Sequence, residues 1–241
     1  MRRPCVDAPV PRVAGLAALL LLAHVSLFSL GLSGAAGPAR VQAQEAAPTV
    51  DSVLARMARI PGLHTSYREE KRIALLSSPI VSEGTIDYAR GAGSRPPRMA
   101  RRTTRPSAQV VLIDAGELRM NDGRTTSRID LASQPVVRSF VDSFLQLLVG
   151  DRAALERTYT LSIERVANES PAGGWSLVLR PRGAPLSSFL REIRFEGQGD
   201  VLTRMVMTEV SGDVTTTTFS DVDANHRYDA AEASRVFSLT L

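Results

Sequence analysis

Apolar residues first mass together along this chain and then settle into two different periods. From Val13 to Leu32 almost every position is apolar, in "VAGLAALLLLAHVSLFSLGL". Arg2, Arg3 and Arg12 precede that run, and Val41 and Ala43 follow it at the −3 and −1 positions of a cleavage site. We expect an export signal over 1–43 and a mature chain over 44–241. An uncleaved membrane anchor is the alternative reading of the same run. Cys5 lies ahead of the run, where a lipidated cysteine would not be.

Helical spacing follows in "TVDSVLARMARIPG", with Val50, Val53, Leu54 and Met57 on one face. Thr49 suits the N-cap, and Pro61-Gly62 ends the segment. The period then shortens to two. "EGTIDYAR" puts Ile86 and Tyr88 on one face; "QVVLID" and "ELRMND" flank a turn at Ala115-Gly116, with Leu118 and Met120 sharing a face. "QPVVRSFVDSFLQLLVGD" predicts the longest helix of the mature part. Its apolar stripe is Phe140, Val141, Phe144, Leu147 and Leu148, and Gly150 stands at its C-terminus. Asp151 can cap a second, short helix, "DRAALERT". Strands resume in "YTLSIERV", "WSLVLRP", "REIRFEG", "LTRMVMTEV" and "VTTTTFSDV", broken by one helical turn, "PLSSFL". Trp175, Leu177 and Leu179 share a face, as do Ile193 and Phe195. Glycine-bearing turns between the strands favour antiparallel hairpins. The fold class expected is α+β, mainly β: a curved, incompletely closed antiparallel barrel with helices across its open side.

Charge changes the reading of one segment. "SRPPRMARRTTRP" crowds five arginines into residues 94–106 and suggests a polyanion surface. Loss of 1–43 removes four arginines and one aspartate, however, and leaves 25 basic against 24 acidic residues. A nucleic-acid-binding domain keeps a large positive excess and interleaves aromatics. This chain does neither, so no nucleic-acid partner is expected. Arg98 to Thr104 reads as a strand, with Arg98, Arg101, Arg102 and Arg105 as surface charges that discourage edge pairing.

Candidate chemistry is sparse. The mature part has no cysteine, so neither disulfide nor thiol nucleophile is available. His64 and His226 stand alone, without a metal-binding pair, and there is no nucleophile elbow. We expect no enzyme activity and no cofactor. In "DVDANHRYDAAE", Asp221, Asp223, Asn225, Asp229 and Glu232 occupy positions 1, 3, 5, 9 and 12 of an EF-hand loop. His226 replaces the glycine at position 6, and a strand precedes the loop, which argues against a calcium site.

Taken in order, several segments resemble the LolA-type carriers of outer-membrane lipoproteins. They are an amphipathic helix before "LHTSYREEKR", then "EGTIDYA", the Arg-Pro pair in "SRPPRM", "TRP", "VVLIDAGELRMND", a helix after a proline, and "FSDVDANHRYDAAEASRVFSL" as closing strand, loop and strand. The resemblance implies a half-open barrel whose helical lid covers an acyl-chain cavity. It implies Arg95 as the arginine that bonds lid carbonyls. Ile86, Tyr88, Leu112, Leu118, Met120, Phe140, Phe144, Trp175, Leu177, Ile193, Phe195 and Met205 are the expected cavity residues. The implied partners are an acylated lipoprotein or other envelope lipid, an inner-membrane lipoprotein-releasing transporter and an outer-membrane acceptor. A monomeric periplasmic carrier is expected, with a lipid- or lipoprotein-sensing regulatory module on the same fold as the alternative. Two departures stand out: "RGAG" is inserted before Arg95, and the mature part has only 11 aromatic residues.

Overall fold

The structure, a computed structural model, describes residues 47–164 and 174–241; the export signal expected over 1–43 lies outside them. Strands β1 (Gly62–Arg72), β2 (Ile80–Ala89), β3 (Arg98–Arg105), β4 (Gln109–Asp114), β5 (Glu117–Asn121) and β6 (Thr126–Asp130) come from the N-terminal half. Strands β7 (Tyr159–Glu164), β8 (Gly174–Pro181), β9 (Leu190–Gln198), β10 (Val201–Glu209) and β11 (Val214–Asp223) come from the C-terminal half. They make one antiparallel sheet in the order β6-β5-β4-β3-β2-β1-β11-β10-β9-β8-β7, joined at its middle by β1 and β11 and left open at β6 and β7. The expected open, mainly β architecture is therefore what the chain adopts.

Among the described residues four helices complete it: α1 (Val50–Met57), α2 (Pro135–Val149), α3 (Arg152–Thr158) and α4 (Ala230–Val236). Thr49 and Ser52 exchange side-chain to backbone bonds at the start of α1, so two otherwise unpaired amides are satisfied. Pro135 opens α2, where its missing N–H costs nothing. Gly150 ends it with φ 77, its amide bonded to the carbonyls of Gln146 and Leu147. A Cβ at Gly150 would stand 2.5 Å from the Leu54 carbonyl oxygen, so this glycine also lets α1 approach the end of α2. Asp151 caps α3 by accepting from the Ala154 amide.

Helices α1 and α2 bury their stripes on one face of the sheet. Val53, Leu54 and Met57 meet Leu147, Leu148 and Phe144 above Leu63, Tyr67, Tyr88, Trp175, Leu177, Phe195 and Phe219. Trp175 lies against Gly197, where a Cβ would come within 2.4 Å of its ring, and its indole N–H donates to the Gly199 carbonyl. Burying such side chains is worth about 1.5–3 kcal/mol each, and this layer is the main core.

The opposite face has its own cover. Helix α4 and the chain after it pack Ala233, Phe237 and Leu239 over Ala100 and Leu112. This corrects two expectations. The segment read as a closing loop and strand ends in a helix, because Asp229 accepts from the Glu232 amide and nucleates a turn. Arg98 and Arg102, read as free surface charges, hold that helix down. Arg98 lies 4.3 Å from the centre of the Phe237 ring, and Arg102 donates to the carbonyls of Arg235, Val236, Ser238 and Thr240. A cation belongs here, because the Arg235 and Val236 carbonyls are the negative end of α4, and those of Ser238 and Thr240 follow it. Arg105 does pair with Glu83 at the exposed surface.

The acidic loop before α4 spends its carboxylates locally. Asp223 accepts from the Asn225 amide and meets His226 Nδ1 at 3.1 Å, while Glu232 meets His226 Nε2 at 3.0 Å. Only an imidazolium can donate from both nitrogens. Burial would push His226 down, but the bonds to Glu232 and Asp223 outweigh it and its pKa is raised. Asp223 is held below the usual carboxylate range, chiefly by His226.

Two outcomes follow from this framework. Gly150→Ala strains a left-handed position and crowds α1, so melting should show a loss of about 1–3 kcal/mol. The His226 contribution is complete below about pH 6.5, the ordinary value, and is lost as pH rises through the raised folded value. The Asp223 contribution behaves oppositely, fading as pH falls below about 4. Thermal melting between pH 5 and 9 should therefore decline on the alkaline side, and His226→Gln should flatten that limb.

Candidate functional site

A cavity of about 210 Å³ lies between α2 and the sheet. Its lining comes from β1, β2, β3, β4, β5, β9, β10, β11 and α2. In a flat sheet β5 and β9 would stand seven strand spacings apart, about 34 Å. Both can touch one small cavity only because the sheet curls, which makes this its concave face. The walls are mostly apolar, and Phe140, more than a third exposed, stands on α2 between the cavity and solvent.

Six of the twelve residues expected at a cavity line it: Ile86, Leu118, Phe140, Phe144, Ile193 and Met205. Tyr88, Trp175, Leu177 and Phe195 share the concave face but are packed solid beneath the helices. Met120 is on the same face as Val111, beside Gln109, and beyond the lining. Leu112 is a correction. It pairs with Ala100 and faces the other way, under α4, so its neighbours Val111 and Ile113 line the cavity instead.

One wall carries charge that sequence reasoning had assigned to the surface. Alternation along β3 turns Met99 and Arg101 inward. Arg101 donates to Glu69 at 2.9 Å and to the Ser82 hydroxyl at 3.2 Å, and lies 4.6 Å from the centre of the Tyr67 ring. Thr217 donates to the second Glu69 oxygen at 3.2 Å. Burying either charge alone would be costly; as a pair with further hydrogen bonds they can face an apolar space. The signal was present in the sequence, since Arg101 is in phase with Met99, but arginine composition outweighed it.

The closure of the roof rests on a different arginine from the one expected. Arg90 follows β2 directly, and its guanidinium reaches four backbone carbonyls. Nε donates to Ile60 at 2.7 Å, and Nη2 donates to Met57 at 2.9 Å and Leu148 at 2.6 Å; Nη1 approaches Val149 at 3.5 Å. These oxygens lie at or just past the C-terminal ends of α1 and α2, where carbonyls lack helical partners and the helix dipoles are negative. One cation thus ties both helices to the sheet. Arg95 sits in the β2–β3 loop, its amide bonded to the Ala92 carbonyl, and its side chain makes no hydrogen bond to a helix among the described residues. Arg90 is itself the first residue of the "RGAG" insertion, and as the residue that directly follows β2 it makes the contact. Nearby, Tyr88 is fully buried with a hydroxyl that has no hydrogen-bond partner among the described residues, and burial pushes its pKa up.

Among the described residues no three acidic, histidine or cysteine side chains come together as a metal site, and no helix is long and apolar enough to cross a membrane. None of the curated proteins matches this chain in sequence. Solved structures similar to it include a LolA superfamily protein from Nitrosomonas europaea, at 13% identity and TM-score 0.41, covering 80% of this chain and 98% of that one. Another is a putative outer membrane lipoprotein-sorting protein domain from Vibrio parahaemolyticus, at 11% identity and TM-score 0.44, covering 78% and 96%. The lipoprotein LppX of Mycobacterium tuberculosis is similar at 10% identity and TM-score 0.37, covering 74% and 98%. The family model described as outer membrane lipoprotein carrier protein LolA-like matches residues 42–239. The chain therefore belongs to the LolA-like family.

Proposed function

We propose that this protein is a periplasmic carrier that shelters the acyl chains of a lipoprotein or related envelope lipid in the cavity under α2. It does so without making or breaking bonds, taking cargo from an inner-membrane releasing system to an outer-membrane acceptor. The observation that carries this reading is an apolar cavity whose roof is tied to the sheet by one arginine acting on backbone carbonyls. Side-chain partners would make that tie part of the core; carbonyls at helix ends can return to water at little cost.

The dimensions fit a closed state. A space of about 210 Å³ is below the ~300–1,000 Å³ of ordinary ligand sites, so a long acyl chain enters only if α2 moves. Each methylene kept from water contributes about 0.8 kcal/mol, whereas a hydrogen bond from a charged donor is worth about 1.5–3 kcal/mol. An acyl chain of about a dozen methylenes therefore outweighs the three short bonds of the latch. Once cargo leaves, the Arg90 bonds and the apolar stripe of α2 restore the closed form, which favours release.

Detergent-free purification followed by mass spectrometry of bound material tests the reading directly. Acylated polypeptide or envelope lipid is expected, and protein that neither retains nor takes up any acyl compound would overturn it. Val111→Phe places a ring in the empty space; it should leave melting unchanged or raise it while weakening a fluorescent fatty-acid probe at least about tenfold. Arg90→Leu removes a bond set that stabilises only the empty, closed form. Probe affinity should rise about tenfold or more, and transfer to acceptor vesicles should slow by a similar factor. Arg95→Leu should leave probe affinity unchanged.

A further inference from the structure

A second cavity, of about 400 Å³, opens beside the β2–β3 loop, and its lining shares no residue with the acyl cavity. Four arginines from three stretches of chain face it: Arg90, Arg95, Arg98 and Arg227. No acidic side chain lines it. Carboxylates on the adjoining chain already have partners, Asp87 with His64 and Tyr228, Asp223 and Glu232 with His226, and Asp229 with the Glu232 amide. Elsewhere on the sheet arginine is neutralised by acid, as at Arg68, Arg101, Arg180 and Arg194. Here the guanidinium groups of Arg95 and Arg227 make no hydrogen bond or ion pair among the described residues. Arg98 is held by its flat face against Phe237, which leaves its N–H edge open. Arg90 commits four N–H groups to carbonyls and keeps one of its five.

We infer that this pocket binds a phosphate-type oxyanion, a phosphomonoester or phosphodiester. Arg95 and Arg227 are exposed to solvent, and four like charges around one pocket with no counter-charge in its lining favour an anion there. A carboxylate is satisfied by one bidentate guanidinium, whereas a tetrahedral oxyanion presents enough acceptors for three or four. The loop that carries Arg95 is held in place: Arg95 and Ala92 form a bridge, and a Cβ at Gly91 would meet the Arg95 carbonyl oxygen at 2.2 Å. The volume, equal to that of roughly a dozen waters, admits a phosphate with a small substituent. The phosphate can be that of a lipid headgroup or free in solution; the chemistry recognised is the same.

Calorimetric titration of the purified chain with inorganic phosphate at low ionic strength is one arm. Cosedimentation with phosphatidylcholine vesicles with and without phosphatidylglycerol is the other. Arg227→Gln alone and Arg95→Gln with Arg227→Gln are compared with Arg124→Gln, which removes an exposed arginine outside the pocket. We expect the double variant to weaken phosphate binding at least tenfold, with Arg227→Gln intermediate and Arg124→Gln without effect. The same order with phosphatidylglycerol vesicles and no response to free phosphate identifies a lipid-borne phosphate as the ligand and also supports the site. No binding in either arm, or binding equal in wild type and double variant, overturns it. Fatty-acid probe uptake in the same preparations separates this result from the carrier reading, because it should be unchanged in every pocket variant.

Discussion

An open sheet of 11 strands cannot bury its concave face by itself, and the two helices laid across that face need a tie at their ends. Arg90 supplies it. Its guanidinium gathers carbonyls at the ends of α1 and α2, at the place where backbone oxygens have no helical partner. In the proposed carrier, uptake of cargo depends on how firmly that layer is held. The apolar stripe of α2 sets the attraction, the cavity sets how much of the stripe is left without contacts, and the arginine adds the bonds that hold both helix ends.

The two faces of the sheet divide the work. The convex face is closed by α4, which Arg98 and Arg102 clamp through an aromatic ring and helix-end carbonyls. The concave face keeps a void. The arginine-rich stretch that opens β3 serves both sides at once, because alternate residues point in opposite directions. Arg101 lies against the cavity with Glu69, and Arg102 against the C-terminus. The cavity is consequently amphipathic, with an ion pair on one wall and methyl and phenyl groups on the others.

Much of this was legible in the sequence where one local rule dominated. The stripe Phe140, Val141, Phe144, Leu147 and Leu148 with Gly150 behind it specifies a helix and its end. The Ala115-Gly116 turn, with both residues at positive φ, specifies a tight hairpin. The segment from Asp221 to Glu232 was harder. Its spacing of oxygen ligands matches a calcium loop, yet in the folded chain those groups cap α4 and hold His226.

Period-two alternation thus determined which residues share a face, and helix caps determined where most helices begin and end; both are interactions within a few residues. Which face becomes concave was decided only by the curl of the whole sheet, so Leu112 fell under α4 while Val111 and Ile113 reached the cavity. The choice of Arg90 over Arg95 was decided in the same way. A side chain finds the carbonyls of two distant helices by where its strand ends in space, and no spacing along the chain encodes that distance.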